Sequence, residues 1–186
     1  PWLARLIGYI VAEGHVILRE NNSGYVRVTN ADQAILDDVA ECLDHLDCTY
    51  TIDESRSGTT AARIRCSSGE LASFLVNLEP AIGARSADQR VPDAIMRASD
   101  PVKRAFLKAY VEGECHVSAT QREISVASRS RELLTDVQSM LRSLGMCASI
   151  EPRQNGSYRL RISGADFTRY VESIGFVTER KSVASL

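Results

Sequence analysis

The chain repeats one short segment after 101 residues, and this repeat limits the possible folds more than any other feature of the sequence. Residues 6–16 (LIGYIVAEGHV) align without a gap on residues 107–117 (LKAYVEGECHV). Three pairs of chemically informative residues coincide: Tyr9 with Tyr110, Glu13 with Glu114, and His15 with His116. A similarity at a fixed spacing indicates two structural units of the same type. Each unit, at about ninety residues, is large enough to bury its own core.

The order of the predicted elements is also the same in both parts of the chain. Each motif segment is followed by a strand pattern with turn residues, a long amphipathic helix, a second hairpin and a shorter helix. The long helices are predicted over residues 32–46 and 130–145, with Asn30 or Asp32 capping the first and Ser130 the second. Turn residues at 22–24, 57–58 and 155–156 mark the hairpins. The sequence therefore predicts an α+β fold of two pseudo-symmetric αββαββα halves.

The boundary between the halves is predicted near residue 95. Residues 84–101 form the one plausible linker, which Pro92 and Pro101 punctuate. We assign residues 1–95 to the N-terminal half and residues 96–186 to the C-terminal half. Together they should form one compact pseudo-dimeric monomer.

Small residues follow one face of each motif helix. They are Gly8 and Ala12 in the first helix, and Ala109 and Gly113 in the second. A spacing of four places both members of a pair on the same face, where two helix backbones can approach closely. Glu13 and Glu114 come directly after these stripes, so crossing the helices would bring the two carboxylates together. Neighbouring carboxylates repel and raise each other's pKa unless a cation lies between them, and a hard divalent ion takes such oxygen ligands.

In these residues the chain resembles the LAGLIDADG homing endonucleases. The segments LIGYIVAEG and FLKAYVEGEC resemble the two copies of the family motif, RVPDAIMRASDPVKRAFLKAYVEGE resembles the usual approach to the second copy, and SIGFVTERKSVASL resembles the common ending. The resemblance covers nearly the whole chain. It implies saddle-shaped antiparallel sheets that lie in the major groove of DNA, helices on the outer face, and paired motif helices between the halves. It also implies site-specific cleavage of both strands across the minor groove, which leaves short 3′ overhangs.

The resemblance implies roles for particular residues. Glu13 and Glu114 would bind the metal, with the backbone carbonyls of Ala12 and Gly113 as further ligands. The metal would be Mg²⁺, with Mn²⁺ able to replace it and Ca²⁺ binding without supporting cleavage. Family members often carry a basic residue near the end of the second hairpin of each half, and Arg65 and Arg161 occupy that place here. Arginine stabilises charge well but is a poor proton shuttle because it stays protonated.

The distribution of charge fits a DNA partner although the chain as a whole has a net charge of −2. Each predicted hairpin segment is net positive, whereas residues 32–47 carry six acidic residues and no lysine or arginine. A basic sheet face opposite acidic helices is the footprint that DNA recognition requires. In the patterns Arg63-Ile64-Arg65 and Arg159-Leu160-Arg161, alternation places the arginines on one face. The predicted DNA-binding residues are Arg19, Arg27, Arg56, Arg63, Arg122, Arg153 and Arg159.

The remaining features exclude several other classes of protein. No segment is long and apolar enough to span a bilayer, and the first residues lack a basic leader and contain Glu13, so we expect an intracellular protein. The five cysteines are odd in number and form no CxxC pair, so we expect buried thiols rather than a zinc site or a disulfide framework. His15 and His116 are expected to contact phosphate or begin a strand rather than to bind metal.

Three functions stay open at this point. The first is a metal-dependent endonuclease that recognises a long site in double-stranded DNA and needs no protein partner. The second keeps the fold without the cleavage, as a DNA-binding protein or an RNA intron maturase. The third, from a different class, is a structural module that dimerises through its motif helix.

Overall fold

The computed structural model describes residues 1–53, 61–83 and 87–184. The first half consists of α1 (Trp2–Glu13), β1 (Gly14–Leu18), β2 (Gly24–Asn30), α2 (Gln33–Asp44), β3 (Thr51–Asp53), β4 (Ala62–Cys66) and α3 (Gly69–Leu78). After a 3-10 turn at Pro80–Gly83 and the short helix α4 (Asp93–Met96), the second half consists of α5 (Asp100–Glu114), β5 (Cys115–Ser118), β6 (Glu123–Ser128), α6 (Arg131–Ser143), β7 (Ser149–Pro152), β8 (Tyr158–Ser163), α7 (Ala165–Ser173) and α8 (Glu179–Ala184). Arg56 and the turn predicted at Ser57 and Gly58 lie outside the described residues.

The two halves have the same sheet topology. Each contains a four-stranded antiparallel sheet, with the strand orders β1-β2-β4-β3 and β5-β6-β8-β7. The buried cross-strand pairs Val28 with Ile64 and Val126 with Leu160 face the helices of their own half. Successive strand residues point to opposite faces, so the intervening residues form a second face without a helix layer of its own. The predicted α+β fold with two pseudo-symmetric halves is confirmed.

The helix ends follow from local sequence signals. Asp32 caps α2, because its carboxylate accepts a hydrogen bond from the backbone N–H of Ala34 at 3.1 Å. Ser130 caps α6 in the same way, through a 3.0 Å bond from the N–H of Leu133. Gly145, just beyond α6, has a φ of +79°, a conformation that favours glycine and ends a helix. Asn30, the other capping candidate for α2, has a different role in the site described below.

The two motif helices cross in direct backbone contact. A Cβ atom placed on Gly8 would lie only 2.5 Å from the carbonyl oxygen of Phe106 and 2.9 Å from the Cβ of Ala109. Further along, a Cβ on Gly113 would lie 2.7 Å from the Cβ of Ala12. The small residues therefore meet each other within one chain. The dimerisation hypothesis required these faces to be available to a second chain, and the fold uses them internally.

The described part of the segment between the halves, residues 87–101, forms specific hydrogen bonds to the second half. Arg90 forms two bonds to the carboxylate of Asp136 on α6, at 2.7 and 2.9 Å, and Ser130 donates to the carbonyl of Gln89 at 2.8 Å. Part of the predicted linker is helical, since α4 lies inside it and α5 begins before Pro101. The boundary at residues 95 and 96 stays a prediction.

Two expectations from the sequence concern the burial of the thiols and the absence of a membrane-spanning segment. All five cysteines are free thiols, of which Cys42 and Cys66 are buried and Cys48 and Cys115 half-buried. Cys147 is exposed, so the expectation of a buried thiol was wrong there, because the chain at this point has left α6 and runs over the surface. Within the described residues, no helix combines the length and the apolar character needed to cross a membrane.

The helix crossing predicts that Gly8 tolerates no side chain. Replacing Gly8 with alanine raises helix propensity but forces the new methyl group into the carbonyl of Phe106. We expect Gly8→Ala to lower the free energy of unfolding by about 1–3 kcal/mol, as measured by urea denaturation. The control is Ser139→Ala on the exposed face of α6, which should change stability by less than about 0.5 kcal/mol. A Gly8→Ala variant as stable as the parent would contradict the close crossing.

Candidate functional site

Glu13 and Glu114 lie together where the two motif helices end. Each is the last residue of its helix, and the first strand of the same half begins at the next residue. A Cβ on Gly113 would lie 3.6 Å from Cγ and 3.8 Å from Cδ of Glu13, so the carboxyl group of Glu13 rests against the end of α5. Burial and the charge of Glu13 raise the pKa of Glu114 to about 7. The crossing therefore places two partly desolvated, mutually repelling carboxyl groups at one end of the helix pair.

Asn30 holds one of these carboxylates. Its side-chain amide donates to Oε2 of Glu13, while its Oδ1 accepts from the N–H of Asp32 at 2.7 Å. Burial raises the pKa of Glu13, and the bond from Asn30 partly offsets this rise. In the second half Ser128 stands at the equivalent strand end, two residues before the helix cap, and its hydroxyl accepts from the N–H of Ser130 at 3.1 Å. The shorter serine leaves Glu114 without the amide contact that Glu13 has.

Lys181 supplies a buried positive charge to the same site. Its ammonium group donates to the carbonyl oxygen of Glu112 and lies 3.5 Å from the Oε1 atom of that residue. The charge of Lys181 lowers the pKa of both Glu13 and Glu114, against the larger effect of burial. One lysine therefore acts on both acids from α8.

Glu112 fixes the position of α8. Its side chain is fully buried and accepts hydrogen bonds from the N–H of Val177 at 2.6 Å and from the hydroxyl of Thr178 at 2.8 Å. Three residues around the two acids, Glu112, Lys181 and Asn30, were not predicted from the sequence as site residues. The available signal was an acid within an otherwise apolar stretch of the second motif, which needs a buried partner.

The motif tyrosines are equivalent in sequence but not in their contacts. The hydroxyl of Tyr9 donates to Asp38, a buried residue of α2 that also forms an ion pair with Arg5. Asp38, one of the six acidic residues counted in the segment 32–47, is thus buried in the core. In the second half the equivalent aspartate, Asp136, is bonded to Arg90 instead of to the tyrosine. The buried hydroxyl of Tyr110 has no hydrogen-bond partner among the described residues.

The open faces of the two sheets carry matching rows of side chains. In the first sheet the row consists of His15, Arg27, Arg65 and Thr51, which are successive cross-strand partners. In the second sheet the row consists of His116, Ser125, Arg161 and Ser149. Directly opposed residues of antiparallel strands share a face, so each histidine and arginine of a row lie on the same side. Arg63 and Arg159 extend these two faces.

The arginines of the two faces have different partners. The guanidinium of Arg65 lies 4.1 Å from the centre of the Tyr25 ring. Arg161 is paired with Glu123 and lies 3.7 Å from Glu151, and Arg159 also lies 3.7 Å from Glu151. These contacts keep Arg65 and Arg161 on their own sheets, and within the described residues neither is bonded to Glu13 or Glu114. Their predicted catalytic role stays a prediction.

The other predicted DNA-binding arginines lie at the ends of hairpins. Arg19 is exposed in the β1–β2 turn, and Arg153 is exposed in the β7–β8 turn. Arg122 points away from the open face, because its guanidinium donates to the hydroxyl of Thr168 on α7 at 2.6 Å. The structure thus groups Arg27 and Arg63 on one open face and Arg159 on the other, and separates Arg122 from them.

The motif geometry agrees with a comparison against protein families. A model of the LAGLIDADG-like domain matches residues 2–79 and 101–175, one match for each half. The chain belongs to the LAGLIDADG-like domain family. Its two motif copies are the α1 and α5 segments that end in Glu13 and Glu114.

This LAGLIDADG chain is similar to segments of larger proteins. It is 27% identical over 94% of its length to the DNA-directed RNA polymerase subunit Rpo1C of Methanocaldococcus jannaschii, of which it spans 19%. It is 29% identical over 96% of its length to the replication factor C small subunit of the same organism, of which it spans 10%. The chain therefore covers a fifth or less of these two relatives.

Two solved structures share its fold. The structure of I-DmoI in complex with DNA and Ca superposes with a TM-score of 0.71 and 19% identity, covering 98% of this chain and 95% of the other. Full-length DUF199/WhiA from Thermatoga maritima superposes with a TM-score of 0.68 and 16% identity, covering 98% of this chain and 57% of the other. At these identities the likeness establishes the fold.

The donor atoms around the two glutamates suit a hard divalent ion. Within the described residues, no group of three or more histidine, cysteine, aspartate or glutamate side chains could hold a metal. The LAGLIDADG site offers two carboxylates, together with the carbonyl oxygens of Ala12 and Gly113. These carbonyls belong to last helical turns, whose C=O groups have no partner inside the helix. A site with few protein carboxylates and room for water and substrate phosphate is the kind that Mg²⁺ occupies.

The unequal contacts of the motif tyrosines predict unequal effects of removing their hydroxyls. Tyr9→Phe breaks the bond to buried Asp38 and should lower the free energy of unfolding by about 1–2 kcal/mol. Tyr110→Phe removes a hydroxyl without a partner in the described protein and should leave stability unchanged or raise it. Thermal or urea unfolding of the DNA-free variants measures the difference. Equal losses in both variants would show that Tyr110 has a partner after all.

The raised pKa of Glu114 predicts that stability falls as the pH rises. The folded chain keeps this proton up to about pH 7, whereas the unfolded chain loses it near the ordinary value of 4.5. Between these values the unfolded state binds fewer protons, so deprotonation favours unfolding. In a chelating buffer we expect this group to reduce the free energy of unfolding by about 1–3 kcal/mol from pH 4.5 to pH 7.5.

The matched variants are Glu114→Gln and Glu172→Gln, the second on the exposed surface of α7. Glu114→Gln should flatten this part of the stability profile, and Glu172→Gln should follow the parent. A Glu114→Gln profile as steep as that of the parent would show that Glu114 is not the group responsible.

Proposed function

We propose that the chain is a metal-dependent, site-specific endonuclease that cuts both strands of double-stranded DNA. The observation that carries the proposal is the meeting of Glu13 and Glu114, one from each repeat, at the end of the helix pair. Two equivalent acids related by pseudo-symmetry suit a substrate whose two strands are themselves related by a two-fold axis. The structures of I-DmoI with DNA and Mn, and with DNA and Ca, support the choice of ligands.

The metal would be held by the carboxylates of Glu13 and Glu114 and by the carbonyl oxygens of Ala12 and Gly113. When bound, Mg²⁺ or Mn²⁺ would neutralise charge on a phosphodiester and make a coordinated water a better nucleophile. The chain's own residues prepare this site. Desolvation and mutual repulsion raise the pKa of Glu114 to about 7, so its ionised form gains from a nearby cation.

Asn30 and Lys181 would position the two acids. The amide of Asn30 orients one oxygen of Glu13 and leaves the other for a ligand. Lys181 is held by Glu112, so its positive charge stays near both glutamates instead of moving out into solvent. A fixed cation of this kind stabilises negative charge that develops on a phosphate.

The open sheet faces would read the DNA. Arg27 and Arg63 lie on the face of the first sheet, where an arginine can pair with a guanine edge in the major groove. On the second sheet Arg159 and Arg161 share the face with Glu123 and Glu151. Carboxylates repel phosphate and accept hydrogen bonds from cytosine, so this face would contribute more to selectivity than to total affinity.

A second candidate is a DNA-binding protein of the same fold that does not cut. The observation that favours it is the engagement of Arg65 and Arg161 on their own sheets, away from the two acids. Among the described residues, Lys181 would then be the basic residue whose charge acts on both acids. The two candidates share the same binding surface and differ in metal-dependent hydrolysis.

Selection from a random duplex library tests both candidates. Duplexes cut by the parent chain in Mg²⁺ are recovered and then offered to Glu13→Gln, Glu114→Gln and the surface control Glu172→Gln. Each active-site variant should convert double-strand breaks into nicks, on opposite strands for the two variants, with the rate on the affected strand reduced at least about 100-fold. Glu172→Gln should cut like the parent.

Two results would change the assignment. Undiminished double-strand breaks in both glutamine variants would remove the paired-acid mechanism. Salt-sensitive binding of duplex DNA without cutting in any divalent metal would establish the second candidate in place of the first.

A further inference from the structure

A polar pocket lies beside Glu114, and the proposed function assigns it no role. Its volume is about 460 Å³, and it opens between the ends of α1 and α5, the start of α6 and the β7–β8 turn. Its wall includes Glu114, Tyr110, Arg129 and Arg153. The pocket is thus continuous with the second acid of the site. Most of its wall belongs to the second half of the chain, and the first half contributes Val11, Ala12, Gly14 and Gln89.

Three charged side chains line the pocket, the acid Glu114 and two arginines, and the arginines favour an anion. Arg129 precedes the cap of α6 and Arg153 stands in the β7–β8 turn, and both are exposed. Within the described residues neither arginine forms a salt bridge, in contrast to Arg159 and Arg161 on the neighbouring strand. Two guanidinium groups facing one cavity repel each other unless an anion lies between them, and arginine pairs with phosphate through two parallel hydrogen bonds.

The Tyr110 hydroxyl gives an independent reason to expect a ligand. Tyr110 is 99% buried, lines this pocket, and its hydroxyl lacks a partner among the described residues. Buried hydroxyls are almost always hydrogen-bonded, and the matching Tyr9 is bonded to Asp38. The equivalent Asp136 is paired with Arg90, and the described part of the chain provides no acceptor for the Tyr110 hydroxyl. The hydroxyl is shielded from solvent, so an oxygen atom of a ligand in the pocket would supply the acceptor once the side chains that cover the hydroxyl move aside.

We propose that this pocket binds a backbone phosphate of the DNA strand that lies on Glu114. The inference rests on the proposed function and deepens it, since it assigns Arg129 and Arg153 to the sugar-phosphate backbone rather than to base edges. Phosphate contacts fix the register of the duplex without reading its sequence. The pocket would therefore hold the strand at Glu114 in place next to the acid that has no amide partner.

The salt dependence of DNA binding tests the assignment. Duplex binding is measured in Ca²⁺ over a range of salt concentrations for the parent, Arg129→Gln, Arg153→Gln and the control Arg142→Gln, an exposed residue of the last turn of α6. Each pocket variant should reduce the slope of log K against log salt by about 1 and weaken binding to all duplex sequences alike. Arg142→Gln should match the parent. Tyr110→Phe should weaken binding without loss of thermal stability.

The outcomes separate this inference from the function on which it rests. A parent chain that does not bind duplex DNA would overturn both. Binding by the parent, with unchanged slopes in both pocket variants, would overturn the phosphate pocket alone. A free phosphate ion could occupy the same pocket, and titration of inorganic phosphate into the DNA-free chain tests for this. Phosphate binding that needs Arg129 and Arg153, with unchanged DNA slopes, would assign the pocket to free phosphate and overturn the DNA assignment.

Discussion

The contact between the backbones of α1 and α5 is the constraint on which the rest of the structure depends. Gly8 against Phe106 and Ala109, and Gly113 against Ala12, leave no space for a larger side chain at the crossing. Because the helices touch, their last residues are forced together, and these are the two glutamates. A looser crossing would let Glu13 and Glu114 separate into solvent, where each would ionise at its ordinary pKa. The fold therefore uses tight packing to maintain an electrostatically unfavourable arrangement, which is how sites with perturbed acids are commonly built.

The two halves share a fold but have diverged around this centre. In the first half Asn30 donates a hydrogen bond to Glu13, and Asp38 accepts one from the hydroxyl of Tyr9. The second half uses its equivalent aspartate to hold the linker residue Arg90 and leaves Tyr110 without a protein partner. The open face of the first sheet is basic, whereas that of the second combines arginines with Glu123 and Glu151. A chain of this kind can treat the two strands of a duplex differently, which a symmetric dimer cannot.

The features that could be predicted from the sequence are those that rest on its repeat and its periodic patterns. The shift of 101 residues, the small residues before each glutamate and the alternation around Ile64 and Leu160 were enough to predict the fold and the pairing of the motif helices. The caps at Asp32 and Ser130 follow from local chemistry and were also predictable. The repeat is visible by comparing the chain with itself, and the other features depend on residues a few positions apart.

The sequence did not predict contacts that join distant segments. The bond from Lys181 to Glu112, the bond from Asn30 to Glu13 and the pairing of Arg161 with Glu123 each span more than fifteen residues, and each depends on how helices and strands are placed in space. Alternation shows which face an arginine occupies but not which carboxylate it meets there. For this reason Arg65 and Arg161 could be placed on the correct face by pattern alone, while the lysine near both acids was visible only in the folded chain.

The most direct test of the account is the position of a bound metal. Crystals of the chain soaked in Mn²⁺ would give an anomalous signal that locates the ion without reference to the protein coordinates. We expect a peak in contact with carboxylate oxygens of Glu13 and Glu114, and we expect this peak to disappear when both residues are replaced by glutamine. Mn²⁺ bound elsewhere, with these two carboxylates separated or ion-paired only with protein groups, would contradict the claim that they form a shared metal site.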